Sequence, residues 1–129
     1  MILLDTNVLS ELMRPAPEPA VLNWLRSQVV RDVGTTTINV AEIRYGLARL
    51  PTGQRRADLE RRFAAFPARG LATRIFDFDG PAADAYGDLI VARERSGRPL
   101  EGFDGLIAAI ARSRGYEIAT RNVNDFTNC

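Results

Sequence analysis

No histidine and no lysine occur in this sequence, and all 17 of its basic residues are arginine. Those absences exclude whole classes of chemistry. A Ser/His/Asp triad, a Cys/His pair, a histidine-rich zinc site, a histidine acid/base nuclease and a lysine Schiff base all need side chains that are missing. A phospho-accepting receiver domain, which also uses acids at strand ends, needs a lysine near its phosphoaspartate. The single cysteine, Cys129, excludes an intramolecular disulfide and a cysteine-based metal cluster. No apolar run approaches the roughly 18 residues of a membrane span, and the N-terminus lacks the basic region and long apolar stretch of a signal peptide. The expected location is therefore the cytoplasm.

What remains for catalysis is carboxylate chemistry, with a hard divalent cation on oxygen ligands as its natural companion. A length of 129 residues with 46% hydrophobic side chains predicts one domain, 1–129, with a buried core. Net charge is +1, but it is unevenly spread. The stretch from Arg44 to Arg74 holds eight arginines against Asp58 and Glu60, a net of +6 that leaves −5 for the rest. Such a split suggests a basic surface beside an acidic one, suited to phosphate; a solvated helix face carrying Arg55, Arg56, Arg61 and Arg62 is the alternative.

Apolar periodicity and turn signals alternate along the chain. They predict a strand near 2–5, helices near 7–13 and 19–29 separated by Pro15, Pro17 and Pro19, and a strand near 31–36. A helix over 38–50 follows, with Thr37 as N-cap and Pro51 past its end, and then another over 53–66. After a short apolar stretch at 75–78, Pro81 opens a helix that runs to about Ser96 and stops at Gly97. Gly102 to Ser113 reads as a helix and Glu117 to Thr120 as a strand. Strands alternating with helices predict an α/β sandwich with a mainly parallel sheet.

Three acids stand out. Asp5 ends the opening run MILLD, either as a helix N-cap or as a functional group at the carboxyl end of a strand, where open parallel sheets bind ligands. Glu42 has Ile38, Asn39, Tyr45 and Gly46 at helical spacing, none of them basic, and shares a stripe with Ile38 and Tyr45 that leans toward apolar surface. Asp104 lies in the first turn of GFDGLIAAIARSRG with Leu100, Glu101, Ile107 and Ala108 at those spacings. Capping or the helix dipole would account for Asp104 there, and the same dipole would hold it ionised, as a metal ligand must be. The segment Phe76-Asp77-Phe78-Asp79-Gly80 resembles the DxDG loop of haloacid-dehalogenase-type phosphatases. Pro81 follows the glycine and lysine is absent, so Asp79 and Pro81 are expected to start a helix instead.

With these acids in view, the chain resembles a PIN-domain ribonuclease of the VapC toxin type. The resemblance runs nearly end to end, on MILLDTNVLSEL, TTTINVAEIRYGL around Glu42, GFDGLIAAIARSRG around Asp104, and IATRNVNDF. It implies a three-layer α/β/α sandwich in which Asp5, Glu42 and Asp104 converge on an acidic pocket that binds Mg²⁺ or Mn²⁺ and hydrolyses RNA. Asp5 and Asp104 are then metal ligands, and Glu42 binds directly, binds through water or acts as base. Thr6, Asn7, Thr120, Asn122 and Asp125 are secondary candidates for holding substrate or water. Asn122 stands where the family often has a further acid, and related chains commonly continue past the DF pair into another short strand. The resemblance also implies an antitoxin partner of the VapB kind, DNA contact only through that antitoxin, and a homodimer. Leu9, Leu12, Leu22, Trp24 and Leu25, on helices 7–13 and 19–29, are expected to be mostly core, with a partner groove as the alternative. A catalytically silent PIN-like module, acting with its antitoxin as a DNA-binding autorepressor, is the competing reading of function.

Overall fold

Leu3 and Leu4 are neighbours in one strand, both fully buried, and they enter different apolar clusters. Successive strand side chains point to opposite faces, so burial of both requires a layer on each side of the sheet. The computed structural model, which describes residues 1–65, 74–100 and 102–120, has that arrangement. Strands β1 (Ile2–Leu4), β2 (Val33–Thr36), β3 (Ile75–Phe76) and β4 (Glu117–Ala119) form a sheet in the order β3-β2-β1-β4. Every pairing is parallel, with Leu3 opposite Gly34 on one side and Ile118 on the other. The helices are α1 (Thr6–Met13), α2 (Pro19–Arg26), α3 (Thr37–Arg49), α4 (Gln54–Ala64), α5 (Gly80–Arg95) and α6 (Phe103–Arg114).

On the Leu4 side, Val8, Leu9, Leu12 and Met13 of α1 pack with Val33, Ile43, Leu47 and Phe63. Leu9 and Leu12 are therefore core, while Leu22, Trp24 and Leu25 lie only partly buried against this cluster. On the Leu3 side, Ala82 of α5 meets Ile110 and Ala111 of α6, and Leu89, Ala108 and Ala109 continue the contact. Gly105 permits the close approach of α5 and α6, since a Cβ there would stand 2.9 Å from Ile90 Cδ1. Each large side chain so buried contributes about 1.5–3 kcal/mol. Among the described residues no helix is long and apolar enough to cross a membrane.

The predicted boundaries shift for local reasons. The strand expected over 31–36 begins at Val33, because Val30–Asp32 wind into a 3₁₀ turn. The helix expected over 19–29 ends at Arg26, where the Ser27 hydroxyl donates to the Trp24 carbonyl at 2.6 Å. Thr36, not Thr37, caps α3: its Oγ1 accepts from the Asn39 N–H at 3.2 Å. The apolar stretch 75–78 supplies only two strand residues. Asp79, as expected, starts α5, its Oδ1 accepting from the Ala82 N–H at 3.1 Å with Pro81 in the first turn.

Candidate active site

Parallel strands bring all their carboxyl ends to one edge of a sheet. The order changes direction at β1, with β2 and β3 on one side and β4 on the other. An open sheet leaves a crevice at such a switch point. Asp5 directly follows β1 and Thr120 follows β4, and the Asp5 N–H donates to the Ala119 carbonyl at 3.0 Å, tying the two strand ends together.

Asp5 heads α1 through its backbone, its carbonyl accepting from the Val8 and Leu9 N–H groups at 3.1 and 3.0 Å. Its carboxylate makes no capping hydrogen bond. Instead Oδ1 accepts from Asn39 Nδ2 at 3.2 Å and Oδ2 from the Thr120 hydroxyl at 3.0 Å. The residue is 5% exposed. Gripped at both oxygens and unused by the helix, this carboxylate is held in one orientation toward the crevice edge.

Asn39 is the residue that sequence reasoning passed over. It is fully buried in α3, three residues before Glu42. Its Oδ1 accepts from the Thr36 hydroxyl at 2.6 Å, while its Nδ2 donates to Asp5 and also to the Thr6 hydroxyl at 3.0 Å. Thr6 donates in turn to Glu42 Oε1 at 2.8 Å. Asp5 and Glu42, on separate elements, are thus joined through Asn39 and Thr6. Asn7 Nδ2 completes the network by donating to Thr120 Oγ1 at 3.3 Å. The signal was present as T-x-x-N at the start of a helix, the spacing of a capping box, with Asn39 and Glu42 sharing a face at i, i+3.

The apolar stripe expected around Glu42 is a correction. Ile38 packs toward the Leu3 cluster, but Tyr45 is 64% exposed, so the stripe emerges into solvent and Glu42 lies between, turned to Thr6. Burial holds the Glu42 carboxyl above its ordinary value of 4.5, the Thr6 hydrogen bond works against that, and the nearby Asp5 charge adds to it.

Asp104 occupies the second position of α6, after Gly102, whose φ of 52° and ψ of −128° suit glycine alone. It lines the same cavity as Asp5, Thr6, Asn7 and Glu42, a space of about 890 Å³ that extends along α1 and α3 to Arg55 and Leu59. The three expected acids, from three distant segments, therefore share one cavity. Thr120 joins them through Asp5; Asn122 and Asp125 lie outside the described residues. Among the described residues no group of three His, Cys, Asp or Glu side chains stands close enough to hold one ion. An all-oxygen donor set in which Asp5 raises its neighbour Glu42 nevertheless fits a hard cation of the Mg²⁺ kind, which binds through one or two carboxylates and keeps several waters.

Part of the basic stretch is engaged within the protein. Arg56 pairs with Glu60 at 2.7 Å, Arg61 pairs with Asp58, and the Arg44 guanidinium lies 4.8 Å from the centre of the Phe63 ring. Arg55 instead faces the cavity.

Comparison with known proteins agrees with this geometry. The family model of the PIN domain matches residues 2–128. VapC ribonuclease Y4jK of Sinorhizobium fredii is 40% identical over 126 residues, spanning 98% of this chain and 90% of that relative. Toxin FitB of Neisseria gonorrhoeae is 39% identical over 126 residues, spanning 98% and 91%. The solved structure of FitAB bound to an IR36 DNA fragment matches with a TM-score of 0.88 at 39% identity, over 98% of this chain and 88% of that one. With three acids on one cavity at the carboxyl edge of a parallel sheet, and a family match along nearly its whole length, the chain belongs to the PIN domain family.

Proposed function

We propose that this protein is the toxin of a toxin–antitoxin pair, an endoribonuclease that hydrolyses RNA phosphodiester bonds with the aid of Mg²⁺ or Mn²⁺. The observation that carries the reading is the meeting of Asp5, Glu42 and Asp104 in one cavity. Asp5 and Asp104 would hold the cation, with Glu42 as a further ligand or as base. A bound divalent cation supplies charge for the transition state and acidifies a nearby water.

The chain's own residues divide the remaining work. Asn39 and Thr120 fix both oxygens of Asp5, which leaves it no freedom to swing out of the crevice. Glu42 accepts from Thr6 with Oε1, and its other oxygen has no partner among the described residues. That oxygen would take a proton from an attacking water, and a carboxyl raised by burial is a better acceptor than an exposed one. Thr6 and Asn7 offer hydrogen bonds to substrate or water at the cavity wall.

The similarity to the FitAB complex on DNA supports an antitoxin partner, with DNA reached through it. It also favours the second reading, a silent module that works only as an autorepressor complex. Purified protein with Mn²⁺, then with excess chelator, separates the two. The nuclease reading expects RNA cleavage that chelator stops. Asp5→Asn and Asp104→Asn are each expected to lower that cleavage by more than about a hundredfold while the circular dichroism spectrum is kept. Normal cleavage by both variants would remove these residues from the site. Absence of cleavage and of metal binding in calorimetry supports the silent module.

A further inference from the structure

Two residues along the cavity break local rules of helix stability with no return in packing. Gly46 sits inside α3, where glycine costs about 1 kcal/mol relative to alanine. A Cβ built there meets nothing within 4 Å, so close packing does not call for glycine. Arg55 lies in the first turn of α4, where the helix dipole favours acids, and that turn has none. It is exposed, and among the described residues it has no hydrogen bond or ion pair. Both residues line the cavity that begins at Asp5, Glu42 and Asp104. Departures from local preference that converge on one cavity point to function.

We propose that this cavity is the track of a single-stranded RNA segment: the strand leaves the three acids across the bare helix surface at Gly46, and Arg55 holds a phosphate beyond. The proposal rests on the nuclease reading above. Gly46 is one turn past Glu42, about 6 Å along the axis, so any side chain there would stand directly in the path away from the acids. A cutting site built from carboxylates repels the polyanion it must hold, and the compensating charge has to lie further along. Of the two arginines on the cavity, Arg14 is engaged by Glu11 at 3.3 Å, which leaves Arg55 for the phosphate. Besides the Glu11–Arg14 pair, Ser10 and Met13, the lining toward Arg55 includes the half-buried Leu50 and Leu59 and the edges of the buried Ile43 and Leu47. Apolar walls accept the faces of unpaired bases, which a duplex would keep stacked inside.

The test is fluorescence anisotropy of a labelled single-stranded oligoribonucleotide on the full chain in Ca²⁺, across a range of salt. Arg55→Ala is expected to weaken binding roughly three- to tenfold and to flatten the slope of log affinity against log salt by about 0.7. Gly46→Leu is expected to weaken binding roughly tenfold, while Gly46→Ala unfolds at the same or higher temperature than the parent. In Mg²⁺, Gly46→Leu should slow cleavage of long oligonucleotides. Unchanged affinity and salt slope in both variants overturns the track, and so does a parent chain that binds no RNA. Variants that bind RNA normally but escape inhibition by the partner protein also overturn it, since the cavity would then hold peptide. Absence of chelator-sensitive cleavage by the parent chain bears instead on the nuclease reading, because anisotropy judges the track without it.

Discussion

Asn39 carries more of the site than any residue except the acids. One buried amide satisfies Thr36, Asp5 and Thr6, and through Thr6 it reaches Glu42. Asn39→Ala would leave the Asp5 Oδ1 without its donor and the Thr36 hydroxyl proton without its acceptor, while the cap bond from the backbone N–H of residue 39 to Thr36 remains, at about 1–3 kcal/mol. We expect a loss of that size in urea unfolding, together with a fall in cleavage of roughly 10- to 100-fold as Asp5 loses its orientation. A stability loss with unchanged turnover would make the role of Asn39 structural only. Glu42 gives a second prediction at this scale. Because its carboxyl is raised above 4.5 in the folded state, the folded chain binds that proton more tightly than the unfolded chain does. The contribution of Glu42 to stability is therefore present below pH 4.5 and is lost as pH rises through the raised value. Measured in chelator, Glu42→Gln should be at least as stable as the parent at neutral pH, and its advantage should disappear under acid conditions. An advantage that grew as pH fell would reverse the sign and contradict the burial of Glu42.

At the scale of elements, each acid is delivered by a different device. A strand end carries Asp5, an internal helical position carries Glu42, and a first helical turn carries Asp104. For α6 the device is Gly102, whose dihedrals are costly for any other residue, by about 1–3 kcal/mol. Gly102→Ala should lower stability by that amount and displace the start of α6. Cleavage should fall with it, because Asp104 is only two residues further on. Thermal unfolding paired with a cleavage assay checks both parts, and unaltered activity in a destabilised variant would detach Asp104 from the reaction. Element boundaries were less legible than element types. The Thr35-Thr36-Thr37 run offers three possible caps, and only the burial of Thr35 and Thr36 in β2 settles the cap on Thr36.

For the whole molecule, the decisive feature is a thin sheet covered on both faces. Leu3 and Leu4 feed separate clusters, so Leu3→Ala and Leu4→Ala should each cost about 2–5 kcal/mol, one by loosening α5 and α6, the other by loosening α1, α3 and α4. Denaturant titration of the two variants tests this, and a cost confined to one of them would contradict the two-sided burial. The same layering explains why Leu9 and Leu12 are core while Leu22, Trp24 and Leu25 are only partly buried: α1 covers the sheet, and α2 packs on the outside of that cluster.

The sequence by itself determined the class of chemistry. With no histidine and no lysine, carboxylates were left to act, and Asp5, Glu42 and Asp104, none with a basic residue at helical spacing, share the cavity. It also determined the alternation of strands and helices, because apolar period and turn residues are local properties. The tertiary structure alone decided the strand order, which puts Asp5 and Thr120 side by side across 115 residues, and the network in which Asn39 bridges two acids. Hydrogen bonds between distant elements leave no periodic trace in a chain. They depend on register and on which strand lies beside which, and those are fixed only when both faces of the sheet are buried at once.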